Sequence, residues 1–330
     1  MVLKNKETSQ NNPKVSVIMN CLNGERYLRE AIDSVYAQTY KDWEIIFWDN
    51  CSTDSSSDIA KSYDSRLRYF RGEEFLPLGI ARNKAVGQAG GKYIAFLDCD
   101  DLWLPKKLEL QMPLFEEDKD TILIYSNYLI RDLLINREYA AYNPPKDFHS
   151  GMITRYLCRG NFIGFQTVVI KKDALRRLDT VFDNGLMYAP DFDLYLRLSL
   201  LGKFDFTSET LVVYRKHKSN FTYSKRQIIA HDFSYLLDKY KKTLDKKSLK
   251  GIAGLYKGCF ARDLRNAGFR IMPAFLIIGF SIRKILTSFA FLLFTEEQFC
   301  AIMDKLGSFG VLNFFLKLLY GISPLKKGTK

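Results

Sequence analysis

Residues 93–105 read YIAFLDCDDLWLP. An apolar run ends in three carboxylates, Asp98, Asp100 and Asp101, crowded around Cys99, with Trp103 just beyond. The run has the length and character of a buried strand, and the acids mark its carboxyl end. Like charges this close repel, and some are driven to protonate unless a cation or a set of donors holds them. Carboxylates two apart in an extended chain point to the same side, and a turn brings the third into reach. Hard divalent cations such as Mg2+ or Mn2+ take oxygens of this kind together with substrate phosphates. The competing reading is a solvated turn in which Asp101 caps a helix LWLPKKLEL, and only the surrounding sequence decides between the two.

Working outward, KVSVIMNCLN reads as a buried strand closed by Asn23-Gly24, and ERYLREAIDSVYAQTY has the spacing of a helix. The strand WEIIFWDN, the polar loop CSTDSSS and the helix DIAKSYD follow. A further strand LRYFRG leads to the helix GIARNKAVGQAGG, and YIAFLD closes the series. Such alternation predicts a parallel, doubly wound α/β sheet. Ligands of such sheets bind beyond the carboxyl ends of the strands. Asn20 to Gly24, Asp49 to Asp54 and Asp98 to Asp101 all fall at those ends, so three polar clusters converge on one edge. Beyond it, TILIYSNYLIRD reads as a strand, GNFIGFQTVVIKKDALRRL as a strand entering a helix, DFDLYLRLSLLG as an amphipathic helix and TLVVYRKHKSN as a strand with a charged exit. Helical patterns dominate from residue 225 onward.

The composition, 47% hydrophobic and 26% charged, is that of a globular chain rather than a disordered one. Residues 225–330 hold about nineteen Lys/Arg against about seven Asp/Glu, so nearly all of the net charge of +12 sits in the last third. Such a surplus suits nucleic acid, anionic lipid or acidic small molecules. No zinc-finger or RNP-like motif supports nucleic acid. Six cysteines lie far apart without a CxxC pair, which argues for reduced thiols in a cytosolic setting and against a zinc site. The polar opening MVLKNKETSQNNPK reads as a flexible lead-in, residues 1–13, rather than a signal peptide.

The segments VSVIMNCLNGERYLREAIDSVYAQTYKDWEIIFWDNCSTDSS and GIARNKAVGQAGGKYIAFLDCDDLWLPKKLELQ together resemble the inverting glycosyltransferases of family 2, of the bacterial cell-surface polysaccharide type. The resemblance spans about residues 14 to 220, with several motifs in order. It implies a GT-A nucleotide-diphospho-sugar transferase fold: a Rossmann-like, mixed but mostly parallel sheet flanked by helices, with a C-terminal helical extension. The implied domains are a catalytic unit over 14–224, divided into a nucleotide-binding half (14–104) and an acceptor-binding half (105–224), and a basic amphipathic region over 225–330. Asn20 to Asn23 resemble the segment whose backbone holds the nucleotide base. Asp49 resembles the acid that accepts from the base N3–H, with Ser52 and Asp54 shaping the loop, and Arg82-Asn83 resemble the pair near the nucleotide pocket. Asp98 and Asp100 resemble the D-x-D that meets ribose and metal, followed by the acid Asp101. Asp49, Asp54 and Arg82 also have plainer readings, as loop caps and as a surface ion pair.

Inverting transfer needs a group that takes the acceptor hydroxyl proton. The family's ED-x-D-L-x-L-R pattern resembles APDFDLYLRL, residues 189–198, which puts Asp191 in the base position and Pro190 where a Glu is usual. Pro190 suits the first turn of a helix, where its missing N–H costs little. Asp191 as a simple helix cap is the plainer alternative, and Asp193 is expected to support the fold. VVYRKHKSN resembles the family's YR-x-H near the diphosphate, so His217 would complete a metal shell or touch phosphate and Arg215 would hold the loop. The resemblance implies Mn2+ or Mg2+, a UDP-sugar donor and a saccharide or lipid-linked saccharide acceptor. The alternative is a degenerate domain that binds nucleotide sugar or glycan without turning it over.

RIMPAFLIIGFSIRKILTSFAFLLFTEEQF and GVLNFFLKLLYGISPLKK are rich in Phe, Leu and Ile with scattered Lys and Arg. The first is split by Arg283-Lys284 into runs shorter than the roughly 18 residues of a spanning helix. A basic helix lying in a membrane interface fits better, which would make the enzyme cytoplasmic and peripheral on the inner face of the cell membrane. The competing reading packs these helices on the catalytic core or on a sister subunit, leaving a homo-oligomer open.

Overall fold

The computed structural model describes residues 13–142, 148–187, 189–220 and 229–255. The apolar C-terminal segments and the first twelve residues lie outside the described residues, and with them the expectations of a membrane-lying helix and a flexible lead-in. Among the described residues no helix is long and apolar enough to cross a membrane.

In chain order the nucleotide half comprises β1 (Val15–Cys21), α1 (Glu25–Tyr36), β2 (Trp43–Asp49), α2 (Ser56–Lys61), β3 (Leu67–Arg71), α3 (Leu78–Gly87) and β4 (Tyr93–Phe96). Then come β5 (Leu102–Trp103), α4 (Lys107–Gln111), α5 (Leu114–Glu117), β6 (Thr121–Asp132), β7 (Arg137–Ala140), α6 (Thr154–Leu157) and β8 (Val169–Lys171). The chain continues through α7 (Lys172–Arg176), α8 (Pro190–Ser199), β9 (Lys203–Lys216) and α9 (Ile229–Tyr240). The strands form one sheet ordered β3-β2-β1-β4-β8-β6-β9-β5, with β7 on β6.

β3, β2, β1 and β4 are mutually parallel. β8 joins β4 and β6 antiparallel, β9 runs parallel to β6, and β5 closes the edge antiparallel to β9. The sheet is therefore mixed, where strand-helix alternation alone predicts a parallel one. The short β8 is the cause: it enters between β4 and β6 from the irregular stretch after α6. The chain winds from β1 out to β3 and returns to β4 on the other side of β1. The order thus reverses between β1 and β4, and a crevice opens at the carboxyl ends of those two strands.

Both faces of the sheet are buried, as side-chain alternation requires. Val15, Val17 and Met19 face α1, whose Leu28, Ala31, Ile32 and Val35 recur at helical spacing and are fully buried. Each large aliphatic of this kind stabilises the fold by about 1.5–3 kcal/mol. Ile18, Ile46 and Phe96 face the other way, toward Ala81 and Ala85 of α3 and Phe192 and Leu194 of α8. Phe233, Leu236 and Tyr240 of α9, and Ile252, belong to that same core.

Two carboxylates fix α9 against α8. Fully buried Asp193 accepts from Lys239 Nζ at 2.7 Å, Tyr240 Oη at 2.8 Å and Arg197 Nε at 2.8 Å. Its expected role in the fold is what the geometry shows. Buried Asp232 accepts from the backbone N–H of Met187 and Ala189 at 3.0 and 2.9 Å, and so holds the chain just before Asp191.

Candidate active site

The turns after β1 and β2 interlock. Asn23 donates its backbone N–H to Ser52 Oγ at 3.0 Å, and its Oδ1 accepts from Thr53 N at 2.8 Å. Gly24 N donates to Ser56 Oγ at 2.9 Å, and Glu25 N to Asp54 Oδ2 at 2.9 Å. Asn23 and Cys51 both adopt positive φ, 53° and 69°, a conformation asparagine tolerates better than most residues. Asp54 Oδ1 also accepts from Ser56 N at 3.0 Å, so this carboxylate bridges the two turns.

Asp49 is fully buried. Its Oδ1 accepts from Ser52 N at 2.7 Å, and its Oδ2 from Tyr69 Oη at 2.6 Å and Arg71 Nη1 at 2.9 Å. This carboxylate is committed to the β2–β3 edge. Asn83 likewise holds the segment around Phe182, through bonds of 2.8 Å to both its N–H and its carbonyl.

A cavity of about 200 Å³ opens at the crevice between β1 and β4. Its walls include Asn20 from β1, Arg82 from α3, Asp98, Cys99 and Asp100 from the turn after β4, Pro190 and Asp191 from α8, Tyr214 from the end of β9 and Asn220 from the turn beyond it. Five sequence-predicted residues, Asn20, Arg82, Asp98, Asp100 and Asp191, meet on it. Arg82 Nη2 donates to Asp98 Oδ1 at 2.8 Å, and its guanidinium lies 3.9 Å from the centre of the Phe165 ring. Burial pushes the Asp98 carboxyl above the usual carboxylate range, the Arg82 charge opposes this, and the charge of Asp100 adds to it. Asn20 Nδ2 is buried without a partner among the described residues, a free donor on the cavity wall.

Asp100 and Asp101 part company. Asp100 Oδ2 lies 3.1 Å from His217 Nε2 and accepts from Asn220 Nδ2 at 2.9 Å. The His217 ring packs on Tyr27 with centroids 4.9 Å apart, and its Nδ1 meets Ser219 Oγ at 2.9 Å. Asp101 turns inward and is fully buried, accepting from Gln166 Nε2 at 2.7 Å and Arg215 N at 2.8 Å. Burial and the charges of Asp100 and Asp98 push its carboxyl well above the normal range. Asp101 is not on the cavity wall; it ties the turn after β4 to β9.

Arg215 is also consumed internally, by Glu30 at 2.6 Å, the Asp100 carbonyl and the Tyr27 carbonyl. Lacking any place on the cavity, it fastens the D-C-D turn to α1. Asn220, Tyr214 and Gln166 were not singled out by the sequence. Asn220 stands three residues past His217 in the charged exit of β9, whereas Gln166 offers only a polar residue in an apolar run.

Asp191 sits in the first turn of α8, one residue after Pro190 at the helix start; the cap position belongs to Ala189, not to Asp191. Its Oδ2 has Asn161 Nδ2 at 3.4 Å. Burial raises its pKa above the ordinary carboxylate value, with the Arg82 charge opposing. A half-buried carboxylate on one wall thus faces a D-x-D turn on the other.

Cations are tested by the donor set. Asp100 Oδ2 and His217 Nε2, 3.1 Å apart, have the spacing of neighbouring ligands on a small octahedral ion with bonds of about 2.1 Å. A carboxylate oxygen and an imidazole are donors of the kind Mn2+ or Mg2+ accepts when diphosphate oxygens complete the shell, while Asp98 is engaged by Arg82. Among the described residues no group of three His, Cys, Asp or Glu is placed to hold a metal ion. The four described cysteines, Cys21, Cys51, Cys99 and Cys158, are free thiols.

This sheet, with its reversal and its acidic turn, defines the GT-A class of glycosyltransferase folds. S. aureus TarS 1-349 in complex with UDP-GlcNAc superposes with a TM-score of 0.61 at 20% identity, covering 78% of this chain and 75% of that one. The mannosyltransferase PcManGT from Pyrobaculum calidifontis, in complex with GDP-Man and Mn2+, gives 0.59 at 17% identity, covering 94% and 88%. The model of Glycosyl transferase family 2 matches residues 16–177. A glycosyltransferase of Methanocaldococcus jannaschii is 35% identical over 211 residues, 62% of this chain and 71% of that protein. The Escherichia coli UDP-Glc:alpha-D-GlcNAc-diphosphoundecaprenol beta-1,3-glucosyltransferase WfaP is 30% identical over 267 residues, 77% of this chain and 99% of its own. The chain belongs to glycosyltransferase family 2.

Proposed function

We propose that this glycosyltransferase moves a hexosyl or N-acetylhexosaminyl group from a UDP-sugar to a hydroxyl of a lipid-linked saccharide, with inversion and with Asp191 as general base. The observation that carries the reading is the single cavity walled by Asp98 and Asp100 on one side and Asp191 on the other. UDP-GlcNAc in the TarS complex, and the UDP-glucose and diphosphoundecaprenol-linked acceptor in the name of WfaP, support the choice of donor and acceptor. The excess of basic residues after 225 supports a peripheral position on the inner face of the membrane.

Asn20 offers its unused amide to the donor, and Asp98, held by Arg82, is placed for the ribose. Asp100 and His217 would hold Mn2+ or Mg2+, which when bound supplies neutralising charge to the departing diphosphate. Asp191 takes the proton of the acceptor hydroxyl as that oxygen forms its bond to the anomeric carbon. The bond from that carbon to the phosphate oxygen breaks with its electron pair leaving on UDP. Attack comes from the face opposite the leaving group, so an α-linked donor gives a β-linkage. Its raised pKa brings Asp191 closer to neutrality, where a general base is most effective. Asp49, Asp101 and Arg215 keep the loops in register from beneath.

A screen of nucleotide sugars with Mn2+ or Mg2+, reading UDP release from wild type and Asp191→Asn, tests the reading. Turnover by wild type and its loss in the variant are expected. No turnover with any donor, together with no cation-dependent donor binding, would overturn it.

A further inference from the structure

A second concavity, of about 490 Å³, has Asn161 on its wall and falls within the roughly 300–1,000 Å³ of small-molecule sites. It is lined by Tyr142, His149, Tyr156, Arg159, Asn161 and Phe162, among others. The His149 and Tyr156 rings stack with centroids 3.8 Å apart, and Phe162 meets His149 edge-on at 5.1 Å. Tyr156 is nonetheless 42% exposed, so a built aromatic platform faces the cleft. Asn161 links this platform to the reacting centre, since its Nδ2 is 3.4 Å from Asp191 Oδ2 and its carbonyl accepts from Tyr142 Oη at 3.4 Å. Arg159 is exposed, and no carboxylate among the described residues pairs with it.

We propose that this cleft is the acceptor subsite: the acceptor sugar lies against the Tyr156–His149 platform and its anomeric phosphate is held by Arg159. This rests on the transferase reading above and names what that reading leaves open. Aromatic faces carry negative charge density that attracts the polarised C–H face of a pyranose, while hydroxyls at the ring edge stay free for Asn161. A guanidinium matches phosphate oxygens bidentately, which a neutral glycan would not use. The arrangement places a sugar hydroxyl toward Asp191 and leaves the phosphate, with any lipid beyond it, at the solvent side.

The test uses the full chain with UDP and Mn2+, and two probes: GlcNAc-α-diphosphate on a short alkyl chain, and the uncharged methyl α-N-acetylglucosaminide. Saturation-transfer NMR and calorimetry read binding without turnover. Arg159→Ala is expected to weaken the diphosphate probe by about ten- to a hundredfold and to leave the neutral glycoside unchanged. Tyr156→Ala is expected to weaken both by about tenfold. Calorimetric binding of UDP with Mn2+, away from this cleft, should be unchanged in both variants. The proposal is overturned if wild type shows no transfer of saturation to the probe's sugar protons, if either variant binds the diphosphate probe as wild type does, or if UDP binding collapses alongside probe binding. Wild type that binds the probe yet releases UDP from no donor keeps the cleft and refutes the catalytic reading instead.

Discussion

Gly24→Ala would wedge a methyl group between two sulfurs at the edge of the active site. A Cβ at this position would stand 2.7 Å from Cys21 Sγ and 3.0 Å from Cys99 Sγ, well inside any real carbon–sulfur contact. The backbone is no obstacle, because φ is −100°, where alanine sits freely. Overpacking of this kind costs about 1–3 kcal/mol, against the roughly 0.4–1 kcal/mol an alanine gains by stiffening the unfolded chain. The net loss is about 1–2 kcal/mol, a drop of a few degrees in Tm. Turnover should suffer more than stability, since the displaced Cys99 lies between Asp98 and Asp100. Thermal melting and donor-turnover kinetics on Gly24→Ala, Cys21→Ala and the double variant read both effects. The double variant should recover about 1 kcal/mol relative to the sum of the singles, because each change makes room for the other. A Gly24→Ala protein that melts and turns over like wild type, or strict additivity in the double variant, would refute this packing.

Arg82→Met removes the positive charge that opposes the rise of the Asp191 and Asp98 pKa values. The deprotonated base is then reached only at higher pH, so the acid limb of the kcat/KM profile should move upward; a limb that stays or moves down contradicts the electrostatic reading. Gln166→Leu strips the 2.7 Å donor from buried Asp101 and is expected to cost about 1–3 kcal/mol in urea unfolding; an unchanged midpoint would remove Asp101 from its structural role. His217→Ala should raise the Mn2+ concentration needed for half-maximal activity by about ten- to a hundredfold with little change in Tm; unaltered cation activation would take His217 out of the cation's shell.

The strand ends were legible because they depend on local pattern. Buried runs such as VSVIM and EIIFW stop at Asn, Asp and Gly, and α1 repeats its apolar residues at helical spacing. Asn20, Asp98 and Asp100 stand at such strand ends, while Arg82 and Asp191 come only through the family resemblance, and the fold brings all five to one cavity. Orientation was not legible. Asp100 and Asp101 are adjacent in sequence, yet one faces the cavity and the other is buried, because Gln166 and the Arg215 N–H claim Asp101 from other elements. Asp49 is likewise decided by Tyr69 and Arg71, twenty or more residues away. β8 and the helix after it were legible in TVVIKKDALRR, but its antiparallel direction was not, because local pattern carries no information on which strands a segment pairs with.

The most direct test of the central claim is the anomeric configuration of the sugar that the enzyme transfers, read by proton NMR from the coupling constant of the product's anomeric proton. A single displacement with Asp191 as the base gives a β-linked product from an α-linked UDP-sugar. A product that retains the α configuration would contradict it.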